Sequence, residues 1–101
     1  MDRRLELSEV LNAIPGVKKA YFQPPSGEKL VYPCIVYSLK RVDMRSANDR
    51  PYKNRDGYDI TIIDRNPDSQ IRRVIESMPL VNFDRTFKND GLNHWSYTLY
   101  Y

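Results

Sequence analysis

Apolar residues at helical spacing predict a short helix at the start of the chain, from about Asp2 to Ile14. The apolar positions follow the i, i+3, i+4, i+7 pattern of one buried stripe, and they are Leu7, Val10, Leu11 and Ile14. Pro15-Gly16 ends this helix, because proline cannot continue it and glycine accepts the turn that follows.

The same spacing returns in a second predicted helix. Its apolar stripe consists of Ile71, Val74, Ile75 and Met78. Asn66 suits the N-cap and Pro67 the first helical position, since proline there loses no hydrogen bond. The acid Asp68 favours the positive end of the helix dipole, and Pro79 ends the helix. This pattern therefore predicts a helix that begins at Asn66-Pro67.

Alternating apolar and polar residues predict five strands. They run from about Lys18 to Phe22, Leu30 to Val42, Gly57 to Asp64, Leu80 to Lys88 and Leu92 to Tyr101. In the fourth strand, alternation places Val81, Phe83 and Phe87 on one side. The last two strands form a hairpin around Asn89-Asp90-Gly91, with glycine where the turn needs a positive φ.

The order of elements is α-β-β-β-α-β-β, which predicts an α+β fold. Most strands follow one another without a helical crossover, so we expect a mostly antiparallel sheet. Two helices packed on one face would complete a two-layer α/β sandwich. With 101 residues and no linker or repeat, the chain is expected to form a single domain, 1–101.

Aromatic residues are numerous for a chain of this size, with eight tyrosines and one tryptophan. So small a domain cannot enclose all of them, and tyrosine is enriched where proteins meet. The last strand ends in Tyr100 and Tyr101 without a charged residue. As an edge strand it would invite pairing with another chain, whereas as a central strand it would be paired internally. We predict Tyr100 and Tyr101 to contact a partner or a second copy.

The excess positive charge lies in one segment. The chain has 16 basic and 13 acidic residues, a net charge of +3, and the segment Lys40 to Gly57 accounts for all of it. Within it, the polar stretch from Asp43 to Asp56 has no apolar periodicity and predicts a mobile loop, or a β-arm that orders against another chain. Its basic character predicts either a solvated surface or steering toward an acidic protein or nucleic acid. The predicted contact residues here are Arg45, Arg50, Tyr52, Lys53 and Arg55.

The remaining composition argues against several classes of function. One cysteine, Cys34, excludes an internal disulfide and a multi-cysteine metal site. No apolar run approaches the roughly 18–20 residues of a membrane span, and we expect no signal peptide at the charged N-terminus. His94 lacks an accompanying nucleophile motif, and Asp64 and Asp68 suit helix capping better than a calcium loop. We therefore expect no enzyme activity, no cofactor and no bound metal.

A small basic nucleic-acid-binding domain is the alternative function, because tyrosines are interleaved with basic residues.

Three stretches resemble the small virion proteins of long-tailed bacteriophages. The first is the strand at 32–37, YPCIVY, and the second is the strand leading into a helix at 58–69, YDITIIDRNPDS. The third is the closing hairpin, with FDRTF at 83–87 and DGLNH at 90–94. Taken together, they resemble the tail-completion or tail-terminator family, also called minor capsid or head–tail joining proteins.

The resemblance implies a structural function without catalytic residues. Proteins of this family form homo-oligomeric rings, commonly six-fold, where the tail tube meets the head connector. The implied partners are copies of the chain itself, the tail tube protein and the head connector proteins, with double-stranded DNA passing through the ring. The implied location is the virion, assembled in the host cytoplasm, and no membrane is involved.

Overall fold

The computed structural model describes residues 3–40 and 56–101. In these ranges the helices are α1 (Arg3–Asn12) and α2 (Ile71–Glu76). The strands are β1 (Lys19–Phe22), β2 (Cys34–Lys40), β3 (Gly57–Asp64), β4 (Val81–Asn89) and β5 (Leu92–Tyr100). The predicted α+β class is confirmed, as a five-stranded mixed sheet with two helices.

The strands lie in the order β1-β2-β3-β5-β4. β1 is parallel to β2, and the other three neighbouring pairs are antiparallel, with Ile60 of β3 lying between Tyr37 of β2 and Tyr97 of β5. Because β5 lies between β3 and β4, the C-terminal strand is paired on both sides. Of the two alternatives for this strand, the internally paired one is correct.

The main core lies on one face of the sheet, beneath both helices. Leu7 and Leu11 of α1 and Ile71 and Ile75 of α2 belong to one buried cluster. The strands contribute Ala20, Ile35, Tyr37, Tyr58, Ile60, Ile62, Trp95, Tyr97 and Leu99 to it. Both helices therefore cover the same face, which burial of the apolar stripe on each helix requires.

Two residues of the predicted helical stripes lie at the surface. Val10 of α1 is 38% exposed and Val74 of α2 is 39% exposed, whereas their neighbours Leu11 and Ile75 are fully buried. Each helix is short and meets the sheet along a narrow line, so the i+3 position falls beside the contact. The predicted stripes are therefore too wide by one residue each.

α2 begins at Ile71, four residues later than the predicted first helical position at Pro67. The capping side chains form tight turns before the helix. Asp64 Oδ1 accepts a hydrogen bond from the Asn66 amide at 2.9 Å, and Asn66 Oδ1 accepts one from the Asp68 amide at 2.9 Å. Such side-chain bonds compete with helical backbone bonds, so these residues hold a turn instead of starting the helix. The predicted start at Asn66-Pro67 is wrong.

β2 begins at Cys34, later than the predicted Leu30. The preceding residues cross the sheet face opposite the helices, where the Val31 amide donates a hydrogen bond to the Tyr21 hydroxyl at 3.1 Å. Leu30 and Tyr32 pack there against a second small cluster made of Tyr21, Cys34 and Ile63. Pro33 directly precedes the strand, as its missing amide predicts.

Candidate interaction surface

The two edges of the sheet differ in whether their outward-pointing backbone groups already have hydrogen-bond partners within the molecule. Among the described strands, β1 and β4 are the edges. At β1, the Ala20 amide donates a hydrogen bond to the Asn12 Oδ1 atom of α1 at 3.0 Å. An outward-directed backbone donor of this edge is therefore occupied by the molecule itself, and an incoming strand cannot use it.

β4 is open along its outer side. Eight of its nine residues are exposed, and in the described ranges no other strand pairs with that side. The Tyr100 amide donates to the Leu80 carbonyl at 3.1 Å, so Leu80 and Asn82 bond inward to β5. Antiparallel pairing alternates, and the backbone groups of Val81 and Phe83 consequently face outward. An added strand would find unpaired donors and acceptors there.

A β-bulge divides β4 into two halves with different properties. The register against β5 shifts between Phe83 and Arg85. The bulge places Phe83 on the helix side, where its ring meets Tyr97 at 5.4 Å, and Phe87 on the opposite side. The prediction that Val81, Phe83 and Phe87 share one side is therefore wrong for Phe87, because one extra residue reverses the alternation.

Beyond the bulge, β4 carries charge. The Phe87 ring stacks on the His94 ring at 4.5 Å, with the Arg85 guanidinium 5.1 Å from the Phe87 centroid. Arg85 and Lys88 are both exposed. Charged side chains and a bulge discourage strand pairing, so this half is the protected one. The first half, with Val81, Asn82 and Phe83, has neither protection, and Phe83 is 53% exposed.

The sheet face away from the helices carries a row of polar contacts across four strands. Lys40 Nζ donates to Thr98 Oγ1 at 3.1 Å, and the same Thr98 hydroxyl donates to Asp84 Oδ2 at 2.8 Å. Lys40 Nζ also lies 3.8 Å from Asp59 Oδ1. This row therefore holds one positive group, Lys40, and two negative groups, Asp59 and Asp84. The described ranges as a whole hold eleven basic and ten acidic residues, so this part of the chain has little excess charge for binding phosphates.

The structure places two of the predicted contact residues. Tyr100 pairs with Gly57 across β3, and the Tyr101 amide donates to the Asp56 carbonyl at 3.0 Å. The Arg3 guanidinium lies 4.4 Å from the centroid of the Tyr101 ring. Since the backbone there is paired, any contact that these tyrosines make with a partner uses their side chains. The other predicted contact residues, Arg45, Arg50, Tyr52, Lys53 and Arg55, lie outside the described residues.

The groups considered for chemistry are engaged in local structure. His94 Nδ1 lies 3.1 Å from the Leu92 carbonyl oxygen, which fixes the ring beside the hairpin turn. Cys34 is fully buried, and desolvation raises the pKa of its thiol to about 11. Across residues 3–40 and 56–101, no three His, Cys, Asp or Glu side chains are grouped so that they could hold a metal ion. No helix in these ranges is long and apolar enough to span a membrane.

The strand edge was not foreseen from the sequence. The signal that could have indicated it is the pair Arg85 and Lys88, since charged residues within a short strand are typical of an edge. The described residues also line small surface pockets. One of about 220 Å³ is lined by Arg4, Phe22, Leu39, Asp56 and Tyr58. The first half of β4 is therefore the described surface best suited to bind another chain.

Comparisons with protein-family models, with curated proteins and with solved structures found no match to this chain.

Proposed function

We propose that the chain is a structural virion protein of the tail-completion or tail-terminator kind. In this proposal it forms a homo-oligomeric ring, six-fold as the resemblance implies, that caps the tail tube at the head–tail junction. DNA passes through the ring. The sequence resemblance at 32–37, 58–69 and 83–94 supports this function, and the open edge of β4 is the observation that carries it.

A cyclic ring joins two different surfaces of the same chain, and β4 supplies one of them. Its outward backbone at Val81 and Phe83 can accept an extended segment of a neighbour, as in other cases of strand addition. The second surface is not the opposite sheet edge, because Asn12 occupies the Ala20 amide there. We place the second contact on side chains, with Tyr100 and Tyr101 among the candidates.

The basic residues between Lys40 and Gly57 remain part of the proposal. Arg45, Arg50, Lys53 and Arg55, with Tyr52, are proposed to contact acidic surface on the tail tube protein or the head connector. A ring that lets DNA pass should not hold it tightly, because phosphate contacts would slow its release. Protein contacts are therefore favoured over DNA contacts for these residues.

The ring proposal predicts that a block at the β4 edge prevents assembly. Phe83→Pro removes the outward amide of residue 83 and leaves the bonds of β4 to β5 in place. We expect the wild-type chain to form rings on its tail tube protein and Phe83→Pro to form none, measured by light scattering and negative-stain microscopy. Phe87→Ala, beyond the bulge, should form rings like the wild type.

Circular dichroism of each variant shows whether the fold is kept, so that lost assembly is not confused with unfolding. The proposal fails if the wild-type chain stays monomeric with the tube protein. It also fails if folded Phe83→Pro forms rings as well as the wild type does.

The alternative function, nucleic-acid binding, has a separate test. We expect only weak binding of single- and double-stranded DNA at physiological salt, measured by fluorescence anisotropy, with an affinity that falls further as salt is added. The small net charge of the chain, +3, is the reason for this expectation. Tight binding at physiological salt would replace the ring proposal with the alternative.

A further inference from the structure

We propose that, in the free protein, β4 of one copy pairs antiparallel with β4 of a second copy, about a two-fold axis through Asn82. The pairing goes beyond the ring proposal, because a ring joins two different surfaces and this contact joins one surface to itself. It rests on the geometry of the β4 edge alone, and it holds whether or not the chain belongs to a phage tail.

The occupant of the edge is a second β4 because no other strand in the described ranges offers an equally open edge. β1, the only other edge there, has four residues, and its outward Ala20 amide already donates to Asn12 Oδ1. The first half of β4 is uncharged through Val81, Asn82 and Phe83; Val81 is half-buried, and Asn82 and Phe83 are exposed. A strand that runs antiparallel to its own copy is self-complementary at any residue placed on the axis.

The direction of the backbone groups determines which pairs can bond. Val81 and Phe83 direct their N–H and C=O groups outward, so they form the hydrogen-bonded pairs. With Asn82 on the axis, Val81 of one copy faces Phe83 of the other, and the reverse pair is equivalent. This arrangement makes four backbone hydrogen bonds. Asn82 then faces Asn82 in the closer, non-hydrogen-bonded pair.

The side chains agree with this register. Val81 and Phe83 are on the helix side of the sheet, so each exposed Phe83 ring packs against Val81 of the partner copy. The two Asn82 amides meet on the other side, where each can donate to the other. No charged residue opposes one of like sign, because Asp84 faces Leu80 of the second copy. Uncharged edges of this kind favour pairing.

The bulge excludes registers farther along the strand. Side-chain alternation reverses between Phe83 and Arg85. If a second copy paired across the bulge, residues whose backbone N–H and C=O groups point outward would lie opposite residues whose backbone groups point inward, and these pairs could not form hydrogen bonds. Registers centred beyond it bring together the charged half of each strand, including Arg85 and Lys88. The pairing is therefore confined to Leu80–Asp84.

The two-fold contact has a consequence for assembly. It unites two sheets into one of ten strands and pairs the unprotected half of both β4 strands, so it ends at two copies. It also covers the edge that the proposed ring uses. Free chains would thus be held as pairs, and a neighbour in the ring must displace the second β4.

A cysteine placed on the axis tests the geometry directly. In a non-hydrogen-bonded antiparallel pair the Cα atoms are about 4.5 Å apart, which lies within the range that a disulfide spans. We expect Asn82→Cys to form a covalent dimer on mild oxidation. Lys88→Cys is the matched control, because two residues 88 would lie about 40 Å apart at about 3.3 Å per residue. The native thiol Cys34 is buried and does not interfere.

The two exposed phenylalanines of β4 give a second test without cross-linking. Phe83 lies in the proposed contact and Phe87 does not. We expect Phe83→Ala to raise the dimer dissociation constant at least tenfold, and Phe87→Ala to leave it within twofold of the wild type, measured by sedimentation. Both side chains are largely exposed, so neither change should unfold the domain.

Three results would overturn the pairing. They are a free chain that is monomeric at all accessible concentrations, equal cross-linking of Asn82→Cys and Lys88→Cys, and a dimer that Phe83→Ala does not weaken. Rings on the tail tube without dimers in the free protein would refute this inference alone. Dimers of the predicted register without rings would refute the proposed function alone.

Discussion

Replacing Leu11 by alanine is expected to lower the free energy of unfolding by about 3 kcal/mol, within the range for buried leucines. Leu11 is 0% exposed in α1 and belongs to the core cluster beneath both helices. Truncation removes apolar contacts and leaves a cavity that the sheet cannot fill. Urea denaturation followed by circular dichroism measures the change.

The adjacent Val10→Ala is the matched control. Val10 has the same place in the sequence pattern but is 38% exposed, so its truncation should cost less than about 1 kcal/mol. Alanine has a higher helix propensity than either residue and the gain is larger for β-branched valine, so propensity also makes Val10→Ala the less costly change. Equal destabilisation by the two variants would mean that α1 packs on a different side from the one described.

The thiol of Cys34 is expected to react at least about a hundred times more slowly in the folded protein than in the unfolded chain. Burial raises its pKa from 9.0 to about 11, which lowers the thiolate fraction near pH 8 about a hundredfold. The side chain is also fully enclosed. The rate of reaction with a thiol reagent, compared with and without concentrated urea, measures this protection. A native rate within tenfold of the unfolded one would contradict it.

The same raised pKa predicts how stability depends on pH. Above pH 9 the unfolded chain loses the Cys34 proton while the folded chain keeps it, so stability falls as pH rises. The contribution is complete below pH 9 and is lost progressively up to about pH 11, amounting to about 3 kcal/mol. Tyr97, whose pKa is raised by burial and by its bond to Glu76, acts in the same direction.

Cys34→Ala separates the two contributions. This variant should be less stable than the wild type at pH 8, because it leaves a small cavity, but its stability should fall less steeply between pH 9 and pH 11. The measured quantity is the difference between the two slopes, from urea denaturation at several pH values. Identical slopes would show that Cys34 does not retain its proton in the folded protein.

Local patterns in the sequence determined the strands better than the helix boundaries. β3 was predicted at Gly57–Asp64 and has those bounds, because both of its faces are apolar enough to be buried. The Asp90-Gly91 turn was also predicted, and its φ values of 52° and 75° are those of a tight type I′ hairpin. The start of α2 was mispredicted because Asn66 and Asp68 suit a turn as well as a cap. Sequence alone does not decide between these two local uses.

The open edge at the first half of β4 could not be predicted from local sequence patterns. That β4 is an edge follows from the position of β5 between β3 and β4, which depends on contacts between residues far apart in the chain. The bulge at Phe83–Arg85 cannot be recognised from the alternation of apolar and polar residues along β4. One extra residue reverses which face of the sheet the following side chains occupy, and the sequence does not show where this happens. The contact residues predicted from the sequence were chosen for their charge or aromatic side chains. These properties do not indicate which strand lies at the edge of the sheet.

The hydrogen bond that the Ala20 amide donates to Asn12 Oδ1 makes the two edges of the sheet unequal. A molecule that can pair with another strand at its β4 edge but less readily at its β1 edge does not polymerise edge to edge without limit. Edge-to-edge association of such molecules ends where two β4 edges pair with each other, or where a segment of another protein pairs with the last β4 edge. The Asn12 side chain thus favours a finite assembly over a continuous sheet.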